Sequence, residues 1–321
     1  MKRLLAVLAL VPAALLPLAA HAQAYPTKPI HIVLPFGPGG VADITTRTFA
    51  PKFSEALGQQ VIVENMPGAG GIRASESVAH AEPDGYRILL LTNGNAVSKA
   101  LFKSLPYDPL TDFAMISTVG FFSMAVVTGG NSKYRTLKDF LAAAKANPGR
   151  LNVGTITPGG TQHLAAELLL SMAGIKALVV PHKTTGEVIV ATRNGTVDAA
   201  VDFITPTLSA IKGGQLRALA VTAGKRFPGL PDVPTVQEAG VPGYDVASWN
   251  ALAAPAKTPQ PILDKLHAAL VKALADPGVQ ERYRQLGVDA RTSTPEELKA
   301  FYASEAKRWT EVVERAGIPK Q

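Results

Sequence analysis

The chain of 321 residues contains no cysteine, which removes disulfide frameworks, thiolate zinc sites and cysteine nucleophiles together. Aromatic residues make up only 6% of it and charged residues 18%, and so few charges exclude a disordered, self-repelling chain. No apolar run reaches the roughly 20 residues that a membrane-spanning helix needs. No G-x-S-x-G, H-E-x-x-H or Walker pattern occurs, and no two histidines have the i, i+4 spacing of a metal site. Acids are outnumbered, 25 against 32 Lys and Arg. What is present is an ordinary apolar fraction of 47%, with 28 Gly and 25 Pro as punctuation. Such a chain is long enough for two lobes of about 150 residues each.

The basic surplus loses part of its meaning at the N-terminus. Lys2-Arg3 form a positive start, residues 4–19 an apolar run, and Ala20-His21-Ala22 a small-x-small cleavage site, which together read as a secretory signal peptide over residues 1–22. Cleavage after Ala22 leaves 30 basic and 25 acidic residues, and no Lys/Arg cluster that would track a phosphate backbone. The expectation is an exported, unanchored protein without nucleic-acid partners.

Past the leader, a buried strand over 30–36 runs into Gly37-Pro38-Gly39-Gly40 and a helix over 42–57. A strand over 60–64, a helix over 72–81 and a strand over 86–92 follow. This β-α-β-α-β order predicts a parallel sheet with helices on its faces. Further strands are predicted over 114–118 and 124–128, then a second α/β unit with strands over 151–154, 177–181, 199–202 and 217–223. The tail reads as helical, with a capping box at Thr294-Pro295-Glu296-Glu297 and core positions through Trp309. Trp249 is a candidate cleft wall.

One internal echo stands out. Pro38-Gly39-Gly40 and Pro158-Gly159-Gly160 each sit between a predicted strand and a predicted helix, one in each half. Unpaired N–H groups at a helix N-terminus favour an anion, so two such loops facing each other would hold a carboxylate. A competing reading is the string Gly37-x-Gly39-x-x-Ala42 followed by Glu64, which has the spacing of a dinucleotide fingerprint. Pro35 in the strand, Pro38 in the turn and export to a compartment poor in free dinucleotide rank it second, as an exported dinucleotide-binding α/β enzyme.

Several ordered blocks are specific enough to compare with a known family. They include Pro35-Phe-x-Pro-Gly-Gly40-x-x-Asp43, Glu64-Asn-x-Pro-Gly-Ala-Gly-Gly71, Pro83-Asp-Gly-Tyr86, Leu105-Pro-Tyr-Asp-Pro109, Leu216-Arg-Ala-Leu-Ala-Val-Thr222 and Leu230-Pro-Asp-Val-Pro-Thr235. Together they closely resemble the solute receptors of tripartite tricarboxylate transporters, the Bug family, over essentially the whole chain after the leader. The resemblance implies a two-lobed, type II-like periplasmic binding protein, each lobe a mixed, mostly parallel sheet flanked by helices, with the ligand cleft between lobes. Lobe 1 would comprise residues 23–124 and 246–321, and lobe 2 residues 125–245. It implies a monomeric periplasmic receptor without catalytic residues, cofactor or metal. Such a receptor closes on a small carboxylate or related solute and delivers it to the large and small membrane subunits of a tripartite permease. Carried onto this chain, the ligand-binding residues are Phe36, Gly39, Gly40 and Asp43; Thr92 and Asn93; Thr155, Thr157, Gly160, Thr161 and His163; and Asp202 with Phe203. Departures from the family pattern fall at Gly37, Arg73 and Thr184-Thr185, and of these Thr184 is added as a ligand contact.

Overall fold

The computed structural model describes residues 25–156, 158 and 160–321; the expected leader over residues 1–22, Thr157 and Gly159 lie outside this description. The chain opens with β1 (Ile30–Leu34), α1 (Val41–Leu57), β2 (Val61–Asn65), α2 (Ile72–Ala79), β3 (Arg87–Thr92) and α3 (Asn93–Leu101). β1 pairs in parallel with both β2 and β3. Ile30, Ile32 and Leu34 point to one face, against Phe49 and Phe53 of α1, while Val33 points to the other, against Ala74 and Val78 of α2. Burial on both faces is why this strand is a nearly unbroken apolar run.

The sequence suggests two strands near residues 114–128, but the structure has one, β4 (Phe113–Gly129), of 17 residues. The strand continues through Gly120 with register shifts between Met115 and Ser117 and between Thr118 and Gly120. β4 changes partners midway. From Phe113 to Ser123 it runs antiparallel to β9 (Ala247–Pro255), and from Met124 onward it pairs with β7 (Ala199–Phe203) and β8 (Leu216–Val221). It is therefore common to two sheets.

The second sheet is built from α4 (Leu137–Ala146), β5 (Asn152–Ile156), α5 (Thr161–Ala173), β6 (Leu178–His182), α6 (Thr185–Arg193), β7, α7 (Ile204–Lys212) and β8. β5 is parallel to β6 and β7, whereas β4 runs antiparallel to its neighbours in both sheets, and β9 does so in the first. The chain then returns to the first sheet, where β9 inserts between β3 and β4. It ends with α8 (Gln260–Leu274), α9 (Pro277–Gln285), β10 (Val288–Asp289) and α10 (Pro295–Arg315).

α10 ties the two sheets together. Thr294 caps it with a complete capping box to Glu297, and one stripe, Leu298, Tyr302, Glu305, Trp309, Val312 and Val313, is buried. Leu298 and Tyr302 pack in the first sheet's core beside Trp249, whereas Trp309 and Val313 pack with Phe140 and Leu164 in the second. Burial of Trp309 alone is worth on the order of 3–5 kcal/mol against truncation to Ala. The acid within this stripe is satisfied: Glu305 Oε2 accepts the indole N–H groups of Trp249 (3.1 Å) and Trp309 (2.9 Å). Trp249 is thus core, not a cleft wall. Its ring packs on Phe301 and Tyr302 with centroids 5.3 and 6.0 Å away. α3, which the sequence does not announce because Asn93-Gly94 opens it, is held against α10 and contributes Val97 and Leu101 to the second core.

Candidate ligand-binding site

The first loop, between β1 and α1, is organised by Asp43. Its Oδ2 accepts the Gly39 N–H (2.9 Å), and its Oδ1 accepts Arg47 Nε and Asn65 Nδ2 (each 2.9 Å). Asn65 Nδ2 also donates to the Phe36 carbonyl at 3.1 Å, which ties the strand end to the loop. Burial alone would raise the Asp43 carboxyl; the hydrogen bonds from Gly39 and Asn65 and the charge of Arg47 outweigh it and hold it below the usual carboxylate range. Asp43 and the Gly39 N–H are therefore spent on each other, and they shape the loop rather than face a ligand. Phe36 remains exposed beside them.

This arrangement also counts against the dinucleotide reading. Asp43 already takes the Gly39 N–H that the fingerprint would turn toward a pyrophosphate. Glu64, the expected ribose contact, is bound by both terminal nitrogens of Arg87 at 2.9 and 3.1 Å.

Gly40 and Gly160 are the N-caps of α1 and α5, with nearly the same conformation: φ −76°, ψ 168° and φ −70°, ψ 165°. Any residue adopts that backbone, and a Cβ on Gly40 would meet nothing within 4 Å. Neither conformation nor packing demands glycine at position 40. The bare backbone instead leaves room for something to approach the helix N-terminus. α5 differs from α1 in having no acid in its first turn.

Around the second loop, three helix N-termini gather about Asp202. Gln162 of α5 donates to its Oδ1 (3.2 Å), as does the N–H of Phe203, the N-cap of α7 (2.7 Å), and the Thr185 side chain of α6 lies near enough to lower its carboxyl. Burial raises the Asp202 carboxyl against these bonds. Thr184, by contrast, is exposed, and its hydroxyl caps α6 by accepting the Glu187 N–H at 3.2 Å; the added polar group that reaches the interior is Thr185. His163 is buried and lies 3.9 Å from Glu167, where burial lowers the imidazole and raises the carboxyl. Both groups are biased to their neutral forms. The expected contact Thr157 lies outside the described residues.

Between the loops lie the strands that join the sheets. Thr92 caps α3, and its N–H and hydroxyl both donate to Asn95 Oδ1. Thr92 is the register partner of Asn250 on β9. Alternation along β9 sends Trp249 and Ala251 to the α10 face, and Ser248 and Asn250 to the opposite one. Ser248 meets Thr161 of α5 at 3.4 Å, a contact from one sheet to the other. Phe203 packs across the same boundary, 6.2 Å between centroids from Phe122.

The buried polar atoms without a partner include both atoms of the Asn93 carboxamide, Asn250 Nδ2, Thr155 Oγ1 and Asp202 Oδ2. Each such atom costs roughly 1–3 kcal/mol unless something bonds it. They come from the C-terminal ends of β3, β5 and β7 and from β9, where open α/β sheets bind ligands. Sequence reasoning missed Ser248 and Asn250. The signal for Asn250 was present, as a lone amide inside an apolar strand.

Comparison with known proteins gives a consistent picture. Residues 45–318 match a family described as the tripartite tricarboxylate transporter family receptor. Protein BugT of Bordetella pertussis is 33% identical over 320 residues, covering 99% of this chain and 98% of its own. Among solved structures, the periplasmic binding protein BugD superposes with a TM-score of 0.81 at 36% identity, covering 92% of this chain and all of its own. MatC from Rhodopseudomonas palustris, with bound malate, gives 0.79 at 32% identity, covering 90% and 100%.

Proposed function

The chain belongs to the tripartite tricarboxylate transporter receptor family, the Bug proteins, and from that premise we propose that it captures a small carboxylate between its two sheets. The capture takes place in the periplasm, to which the N-terminal leader directs the chain. The loaded receptor then passes the ligand to a membrane permease of large and small subunits. The observation that supports this reading is the set of unpartnered buried polar atoms on Asn93 and Asn250 of one sheet and on Thr155 and Asp202 of the other, at strand ends where open α/β sheets bind ligands. The malate bound to MatC supports a carboxylate as the occupant.

The lobes meant here are residues 23–124 with 246–321, and residues 125–245. Their boundary follows the partner switch of β4 between Ser123 and Met124 and the start of β9 at Ala247. Closure of one lobe on the other dries the cleft and strengthens every hydrogen bond within it. Binding uses backbone N–H groups at the starts of α1 and α5, and no bond in the ligand needs to break.

The test is calorimetry and thermal shift of the mature protein against malate and a panel of mono-, di- and tricarboxylates. A ligand at about 100 times its dissociation constant contributes about 2.7 kcal/mol to stability. Gly40→Val and Gly160→Val, which place branched side chains at the two helix starts, are expected to weaken binding at least tenfold with the fold retained. Unchanged affinity in both variants would refute the two-loop site.

A further inference from the structure

Asp202 is fully buried near the end of β7, and the donors around it are divided unevenly between its two oxygens. Gln162 Nε2 and the Phe203 N–H both donate to Oδ1, at 3.2 and 2.7 Å, whereas Oδ2 is buried and bonded to nothing. In a neutral carboxylic acid, the carbonyl oxygen accepts and the other oxygen carries the proton. The protein therefore provides for Oδ1 as a carbonyl and leaves Oδ2 as the hydroxyl.

The charged surroundings do not supply a counter-ion. The titratable groups on elements packed against β7 are His163 and Glu167 on α5, Glu187 and Arg193 on α6, and Lys212 on α7; β5 and the facing part of β4 carry none. The Asp43–Arg47 pair belongs to the loop of the other sheet and is already matched. The influences on Asp202 are its own burial, which raises it and prevails, and the neutral groups of Gln162, Phe203 and Thr185, which lower it. A bound carboxylate would add a second anion to the same dry space, and two carboxyl groups so placed keep a proton between them.

We propose that Asp202 keeps its proton on Oδ2 and donates it in a hydrogen bond to an anionic oxygen of the ligand. Asp202 is then a specificity residue, which selects an acceptor at that position and rejects an ammonium group there. This inference rests on the carboxylate reading above and names the role of one residue within it. Asn reproduces a neutral acid in shape and polarity, with a carbonyl toward Gln162 and Phe203 and an amide N–H toward the ligand. Leu reproduces the shape without the donor.

The experiment is calorimetric titration of wild type, Asp202→Asn and Asp202→Leu with malate, succinate and glutarate between pH 6 and 8.5, with melting curves of each variant. Asp202→Asn is expected to bind within threefold of wild type at pH 6 and to show no pH dependence. Wild type is expected to hold or lose affinity as pH rises, never to gain it. Asp202→Leu is expected to lose about 10- to 100-fold, the worth of a hydrogen bond to a charged group. A tenfold loss in an Asp202→Asn protein of unchanged melting temperature overturns the proposal, because an ionised acceptor then does the work. The ¹³C resonance of the Asp202 carboxyl in the wild-type complex decides the matter without any substitution: a protonated shift supports it, and an ionised shift overturns it. If no member of the mono-, di- and tricarboxylate panel binds wild type at any pH, the carboxylate reading falls and takes this proposal with it. If one binds and only the Asp202 results disagree, the receptor reading stands alone.

Discussion

Removal of the Glu305 carboxylate is expected to loosen the joint between the two sheets, by an amount the geometry allows us to work out. One oxygen, Oε2, accepts both indole N–H groups, at 3.1 Å from Trp249 and 2.9 Å from Trp309, while Oε1 faces Arg308 at 3.4 Å. Trp249 and Trp309 are 1% and 0% exposed, so no water replaces a lost acceptor. Glu305→Leu orphans two buried N–H groups at roughly 1–3 kcal/mol each, or about 4 kcal/mol together. Glu305→Gln keeps a carbonyl for both indoles and turns its amide toward Arg308, at a cost of about 1 kcal/mol. In a chain of this size about 2 °C of melting temperature goes with each kcal/mol. Melting followed by circular dichroism should therefore place Glu305→Leu about 8 °C below wild type and Glu305→Gln about 2 °C below. A leucine variant that melts with wild type, or a glutamine variant that falls as far as leucine, would show that the shared oxygen does not carry the joint.

Three other outcomes are expected. Asp43→Asn removes a buried carboxylate held below its ordinary value, whose contribution is present above pH about 3.8 and lost as pH falls through the folded-state value. The variant should lie about 2 kcal/mol below wild type at pH 7 in urea unfolding, with the gap closing below pH 4. Asn250→Leu removes an unpartnered buried amide, so the ligand-free protein should gain about 1–2 kcal/mol while carboxylate affinity falls; a loss of both stability and affinity would contradict the orphaned geometry. The chain's only two tryptophans both flank the junction and share Glu305, so a saturating carboxylate should change the intrinsic emission, and an unchanged spectrum would argue against movement there.

How far the sequence spoke depends on how local each feature is. The β-α-β order and the paired Pro-Gly-Gly loops were legible, because proline and glycine act on the backbone where they stand. Gly40 and Gly160 accordingly take matching cap conformations. Asp43 was legible as a first-turn acid, but not the Gly39 N–H it consumes. β4 was misread as two strands, with Gly120 in the gap left between them. In the fold it is a close approach, where a Cβ would lie 3.0 Å from Val288 and 3.3 Å from the Asp289 carbonyl. α3 was missed since tertiary packing on α10, not helical propensity, holds Asn93-Gly94-Asn95 in a helix. Thr185 was separated from Thr184 only by the direction of α6. Glu305 was within reach: Leu298, Tyr302, Glu305, Trp309 and Val313 recur at helical spacing, and an acid inside an apolar stripe asks for a buried donor.

The insertion of β9 between β3 and β4 also sets an order of events during synthesis. Leu90 pairs with Leu252 and Thr118 with Ala251, partners separated by more than a hundred residues. A chain emerging N-terminus first exposes β1, β2 and β3 as a small sheet whose open edge has no neighbour until β9 follows. Residues 125–245, by contrast, hold all the strands of their sheet within one stretch and can pair as they appear. The lobe that begins the chain is thus the last to be completed. Its completion draws β4 and β9 side by side, so the two crossings between the lobes form in the same step that closes the first sheet.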